Sequence, residues 1–215
     1  MFVDRREAGM KLGGALIDLE NRDPVVLAIP RGGVEVGYQV AKRLGSRFSL
    51  AISRKLPFPK NPEAGFGAVA EDGSIYLIPE AKMIPENAIR EIVDEQREEI
   101  NRRISILRGN RPLPPLKDET VILVDDGIAM GSTMRATIEM CRNAKAGTVV
   151  VGAPVTGPRV RSEMETLADR VEILEVPPDF HAVAQVYERW YDVPDQEVMK
   201  IMMEGGYNPE TMKFA

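Results

Sequence analysis

The sequence predicts an α/β fold, a doubly wound and mostly parallel sheet with helices on both faces, followed by a small hood or tail. Apolar runs of strand length at 25–29, 120–124, 149–153 and 171–176 alternate with segments of helical period, and such alternation builds parallel strands joined by crossover helices. Two runs end in glycine-bearing turns that open a helix, at Pro30-Arg31-Gly32-Gly33 and between Asp125 and Gly131. The 215 residues, 44% apolar and 28% charged, suit one domain over 1–215, with its core at about 24–176 and its hood or tail at about 177–215.

Leu12, Leu16, Ile17 and Leu19 approximate a 3.6-residue period and predict an opening helix within 5–20, interrupted by glycines. Pro24 introduces the first buried strand, and residues 34–44 resume a helical pattern. A second strand over 48–53 leads into 54–65. There Pro57, Pro59 and Pro62 argue against regular structure, and Arg54, Lys55 and Lys60 make the expected long, mobile loop basic. Glu71-Asp72-Gly73-Ser74 between β-type runs predicts a hairpin. Over 85–107, Ile89, Ile92, Val93, Ile100, Ile104 and Leu107 mark one helix face, with Glu98–Arg102 and Glu99–Arg103 as outward i,i+4 pairs. Helices over 132–143 and near 159–168 separate the later strands. The tail carries Phe180, Tyr187, Trp190, Tyr191 and a short helix near 196–204, and is expected to fold over one edge or end of the sheet.

Lys and Arg number 28 against 33 Asp and Glu, a net charge of -5 that weighs against broad nucleic-acid binding, which needs many phosphate-neutralising cations. Cys141 has no second cysteine to pair with, and with His181 as the one histidine a Cys/His zinc cluster is excluded. With no run of 18 apolar residues and no signal-like start, the expectation is a cytoplasmic protein without a membrane partner. Gly65 to Ala70 imitates a dinucleotide-binding glycine motif, but a proline-rich stretch precedes it and β-type residues follow, so the required strand-before, helix-after context is missing.

The chemistry concentrates in Val121-Ile122-Leu123-Val124-Asp125-Asp126-Gly127-Ile128-Ala129-Met130-Gly131-Ser132-Thr133. Four apolar strand residues run into two carboxylates, and small residues then wrap into a helix N-terminus whose free N–H groups bind anions. Carboxylates repel phosphate, so acids beside an anion cradle call for a ligand that carries hydroxyls, or a metal, next to its phosphate.

These thirteen positions resemble the type I phosphoribosyltransferases, whose signature is an apolar strand, two acids, two variable residues, a small or hydroxyl pair, Gly, any residue and Thr. The resemblance extends over most of 24–176. It implies transfer of 5-phosphoribose from phosphoribosyl pyrophosphate (PRPP) to a nitrogenous, nucleobase-like acceptor with release of pyrophosphate. Asp125 and Asp126 would hold the ribose hydroxyls, and Gly127, Ile128, Ala129, Met130, Gly131, Ser132 and Thr133 would cradle the 5-phosphate. Met130 departs from the Thr usual in the family, and Ala129 from the Asp common in its purine-salvage branch.

The resemblance also makes Arg31, Gly32 and Gly33 a pyrophosphate loop, with a cis peptide expected at Arg31–Gly32. Lys55 is similar to the family's pyrophosphate-contacting cation, with Arg54 and Lys60 closing over the leaving group. Mg2+ is implied as the pyrophosphate's partner, held mainly by substrate oxygens and water, with Glu188 as a weaker protein-side contact. Phe180 is the aromatic that would stack on the acceptor, whereas His181 reads as a loop residue. The long helix offers surface for a homodimer. Ala129 and Met130 leave a second reading open: a non-catalytic protein that senses PRPP or a nucleotide on the same fold.

Overall fold

The computed structural model describes residues 1–205; the last ten residues of the expected tail lie outside the described residues. In chain order the elements are α1 (Arg5–Ala15), β1 (Val25–Ala28), α2 (Gly32–Leu44), β2 (Arg47–Leu50), β3 (Ser53–Phe58), β4 (Asn61–Ala70), β5 (Ile75–Leu77), α3 (Glu86–Arg108), β6 (Thr120–Val124), α4 (Ser132–Asn143), β7 (Thr148–Val155), α5 (Pro158–Glu165), β8 (Arg170–Glu175) and α6 (Asp195–Glu204).

Five strands form a parallel sheet in the order β2-β1-β6-β7-β8. Side chains alternate between its faces. Val25, Leu27, Val121, Leu123, Val149 and Val151 pack with Met134, Ile138, Val160 and Met164, while Val26, Ile122, Val124 and Val150 pack with Leu12, Leu16, Val36 and Val40. Burial on both faces is why these strands read as continuous apolar runs. Two of the glycines that interrupt the α1 pattern serve the α1–α2 contact: a Cβ on Gly9 would lie 2.6 Å from the Val36 carbonyl oxygen, and one on Gly13 2.8 Å from the Arg43 Cβ.

The chain leaves β1 for β2 on one side and for β6 on the other, so β1 and β6 flank the switch point where doubly wound sheets bind ligands. Beyond their carboxyl ends the Ile29 N–H donates to the Val124 carbonyl at 2.8 Å.

A second, antiparallel sheet has the order β3-β4-β5 and corrects the expected loop at 54–65. Pro57 is accommodated because β3 is an edge strand and the ladder shifts register on both sides of it, opposite Gly65, while Pro59 lies in the turn and Pro62 at a β4 position without a register partner. The hairpin at 71–74 is as expected, with the Ser74 N–H donating to the Asp72 carboxylate. Val93, Ile100 and Leu107 of α3 pack on Leu56, Phe66 and Val69 of this sheet. Arg102 and Arg103 both pair with Glu99, so Arg102 takes its i,i+3 neighbour in place of the expected Glu98. At the end of α3, buried Arg108 pairs with Glu71 and donates to the Arg111 and Leu50 carbonyls.

The tail folds over the carboxyl end of the sheet and is fastened by the N-terminal segment. Phe2 N–H donates to Val186 O, Glu188 N–H to Phe2 O and Arg189 N–H to Val3 O, at 2.7, 2.8 and 2.9 Å. Phe2, Ala8, Val155, Val186 and Tyr187 close an apolar cluster beneath this strip. Among the described residues no helix is long and apolar enough to cross a membrane.

Candidate active site

The turns after β1 and β6 meet face to face. An ideal Cβ on Gly32 would stand 1.8 Å from Asp126 Oδ2, and one on Gly33 would stand 2.9 Å from Asp125 Cα, so only glycines let the strand ends approach this closely. A cis peptide lies in this loop at Pro30–Arg31, one bond before the Arg31–Gly32 position expected from sequence. Gly32 is already the first residue of α2, and Arg31 enters it with helical backbone angles.

A cavity of about 270 Å³ opens beside the β6 turn, lined by Asp125 and all seven residues from Gly127 to Thr133, with Lys55, Glu63 and Gly65 opposite. Its floor is the start of α4, which no side chain caps, so the first N–H groups of the helix are free to receive an anion. Gly131 has φ 75°, a left-handed conformation that favours glycine and turns the chain into the helix. Ile128 is held from behind: its N–H donates to Val155 O at 2.9 Å and its carbonyl accepts from the buried Thr156 hydroxyl at 2.7 Å. Met130 is half exposed at the rim.

The two acids are not equivalent. Asp125 lines the cavity, and burial, followed by the Asp126 charge, pushes its carboxyl well above the usual carboxylate range. Its Oδ1 accepts the Asp126 N–H at 2.9 Å. Asp126 turns its Oδ2 to Arg5, whose Nε donates at 2.7 Å, and its backbone carbonyl accepts the Tyr187 hydroxyl at 2.7 Å. Asp125 at the cavity wall and Asp126 paired to Arg5 set two carboxyls side by side at the end of β6, which suits a diol.

Lys55 faces the cavity from β3, its exposed ammonium donating to the Pro62 and Glu63 carbonyls at 2.9 and 2.7 Å. Arg54, its neighbour on the strand, points the other way as alternation requires, and its Nε donates to Gln96 on α3 at 3.1 Å. Burial, and next the Arg103 charge, push the Arg54 guanidinium down. Arg31 stands 3.7 Å from Asp195 at the start of α6, and Lys60 is exposed at the hairpin end. Phe180 is half-buried with its ring over Gly157, beyond the end of β7, and does not line the cavity. Glu188 is exposed on the tail, as is His181. The tail residue that reaches the phosphate turn is Val183, against Gly127.

Sequence reasoning missed Arg5, Tyr187 and Tyr191. A signal for Arg5 exists: Arg5, Ala8, Gly9, Leu12 and Gly13 are the buried stripe of α1, and a cation on such a stripe demands a partner.

The phosphoribosyl transferase domain family matches residues 7–189, and this chain belongs to that family. It is 38% identical to TT1426 from Thermus thermophilus, whose crystal structure superposes with a TM-score of 0.80 over 94% of this chain and 98% of that one. Two Mycobacterium tuberculosis proteins that carry provisional phosphoribosyl transferase names, MT0597 (strain CDC 1551 / Oshkosh) and Rv0571c (strain ATCC 25618 / H37Rv), are each 34% identical over 205 residues. Those alignments cover 94% of this chain and 46% of each relative, so the chain spans about half the length of these curated relatives.

Proposed function

We propose that the chain transfers 5-phosphoribose from PRPP to a nitrogenous, nucleobase-like acceptor. The observation that carries this reading is the union, in one cavity, of an acid at the β6 end with an uncapped, glycine-entered helix start, directly across from the β1 glycine loop. In this reading the α4 amides and Gly131 hold the 5-phosphate, and the acid pair holds the ribose diol. Arg31, Gly32 and Gly33 receive pyrophosphate, with Lys55 neutralising it, whereas Arg54, bonded to Gln96, and Lys60, at the hairpin end, do not line the cavity. The bond from C1 to pyrophosphate oxygen breaks and the acceptor nitrogen bonds C1 from the opposite side; the protein positions the reactants and stabilises charge. Ala129 offers no base, so the proton of the acceptor nitrogen leaves to solvent or to a base elsewhere in the site. Phe180 and Glu188, beside the carboxyl end of the sheet, are the proposed acceptor-side aromatic and a subsidiary carboxylate.

Mg2+ would be carried by pyrophosphate oxygens and water; among the described residues no group of three or more His, Cys, Asp or Glu could hold a metal ion. Bound there, Mg2+ supplies neutralisation of the leaving group.

The exposed Met130 and Ala129 favour a second reading, a PRPP or nucleotide sensor without turnover. PRPP-dependent pyrophosphate release across a panel of nucleobases and amines, with Asp126→Asn as control, separates the two. Release that the variant abolishes supports transfer. PRPP binding without release under every acceptor supports the sensor, and no binding at all refutes both.

A further inference from the structure

Arg5, from the opposite end of the chain, bonds Asp126 of the acid pair and stands beside Gly32 of the β1 loop. Its side chain is 3% exposed. Nε donates to Asp126 Oδ2, and Nη1 donates to the Tyr191 carbonyl at 3.0 Å. The guanidinium carbon lies 4.0 Å from the Trp190 ring centre, 5.3 Å from that of Tyr191 and 6.0 Å from that of Tyr187. Nε also lies 2.9 Å from where a Gly32 Cβ would be.

Resting on the phosphoribosyl-transfer reading, we propose that Arg5, clamped in this aromatic cage, is a positioning residue that fixes the Asp126 carboxylate so that Oδ2 is spent on Arg5 and Oδ1 is presented to the ribose diol.

Three observations distinguish this arrangement from an incidental surface pair. A guanidinium stacked on Trp and hydrogen-bonded to a backbone carbonyl has its orientation set independently of Asp126, so it acts as a fixed template. Asp126 is also held at its backbone, where the Tyr187 hydroxyl donates to its carbonyl, and its carboxylate is held by Arg5. The cage is also tied to α1: the strip Phe2–Val3, just before the helix that carries Arg5, pairs with Val186, Glu188 and Arg189 of the tail that carries the aromatics. The charged and titratable groups around Asp126 are Arg5 from α1, Asp125 from its own turn, Tyr187 and Tyr191 from the tail and Glu35 from α2. Burial pushes the Glu35 carboxyl up, and it accepts the Tyr191 hydroxyl at 2.6 Å. Arg5 is therefore the one cation in this set. It is the cation that faces the two adjacent carboxyls of the pair.

The test is calorimetric titration of ribose 5-phosphate and of PRPP with Mg2+ into the full chain and its Arg5→Gln, Arg5→Lys and Trp190→Leu variants, from pH 5 to 8.5. Loss of one charge-assisted hydrogen bond that orients the acceptor predicts that Arg5→Gln binds about 10- to 150-fold more weakly. Arg5→Lys should recover part of the loss. Trp190→Leu, at a half-exposed position that spares the core, should fall between. A merely structural arginine would leave the pH profile alone, whereas a charge-setting one predicts that its acidic limb moves up by about 1 to 3 pH units in Arg5→Gln. Should Arg5→Gln fail to fold, Trp190→Leu and Arg5→Lys carry the same comparison. Unchanged affinity and profile in Arg5→Gln and Trp190→Leu overturn the proposal, and tighter binding in Arg5→Gln overturns it as well, since Arg5 would then be a competitor of the diol. If the wild type binds neither ligand, the transfer reading fails. The role of Arg5 is then still decided by 13C titration of the Asp125 carboxyl, which must move to higher pH in Arg5→Gln.

Discussion

Gly32→Ala isolates the contact between the two glycine-and-acid turns, because Gly32 is helical and none of the cost comes from backbone angle. A methyl there would meet Asp126 Oδ2 at 1.8 Å, Cγ at 2.5 Å and Arg5 Nε at 2.9 Å. Cβ contacts below 3.0 Å are not tolerated, so the carboxylate must retreat by about 1.2 Å, the difference between 3.0 and 1.8. A 2.7 Å bond lengthened by most of that distance is no longer a hydrogen bond. Breaking a buried pair from one side costs about 3–5 kcal/mol. Alanine in place of helical glycine returns about 1 kcal/mol. The net expectation is a loss of about 2–4 kcal/mol, or about 4–16 °C in Tm for a chain of this size. The control is Gly14→Ala, likewise helical but in α1 and with nothing within 4 Å of its Cβ, which should raise Tm slightly. Calorimetric melting with ribose 5-phosphate titration reads both effects. A Gly32→Ala protein that melts with Gly14→Ala and keeps its affinity would refute the close approach of the two turns.

Asp125 has a folded-state pKa raised above its unfolded value, so the folded chain holds its proton after the unfolded chain has lost it. Stability therefore falls as pH climbs above about 3.8, by up to about 1.4 kcal/mol per unit, until the folded group ionises; Asp125→Asn should flatten that slope in pH-dependent denaturation. Glu71→Gln leaves buried Arg108 with its carbonyl partners but no charge partner and should destabilise by about 3–5 kcal/mol, whereas replacing both by Met and Leu should cost far less, as urea midpoints would reveal. Burial, and next the Asp72 charge, push the Cys141 thiol up to about 12, so the native chain should resist thiol reagents at neutral pH and react on unfolding, at a rate readable by mass spectrometry.

Most of the parallel sheet was legible because its strands are buried on both faces and bounded by glycine or proline. Thr120–Val124 and Ser132–Asn143 have the ends that patterning predicts. The hairpin at 53–70 was hidden because prolines outvote strand propensity in a local reading, and only the edge position and shifted register of Pro57 show why they are allowed. The cavity wall from Gly127 to Thr133 was visible as contiguous sequence. Arg54 and Lys55 could not be told apart without knowing that they sit on a strand and face opposite sides. Arg5 and its aromatic cage join residues separated by 121 to 186 positions, a juxtaposition that only closure of the fold supplies.

A crystal soaked with ribose 5-phosphate tests the account most directly. It predicts the phosphate against the Gly131 to Thr133 amides, the diol against Asp125 and Asp126, and Arg5 still paired to Oδ2 beneath Trp190. A ligand lodged elsewhere with this cavity empty, or a diol seated only where Arg5 has left Asp126, would contradict it.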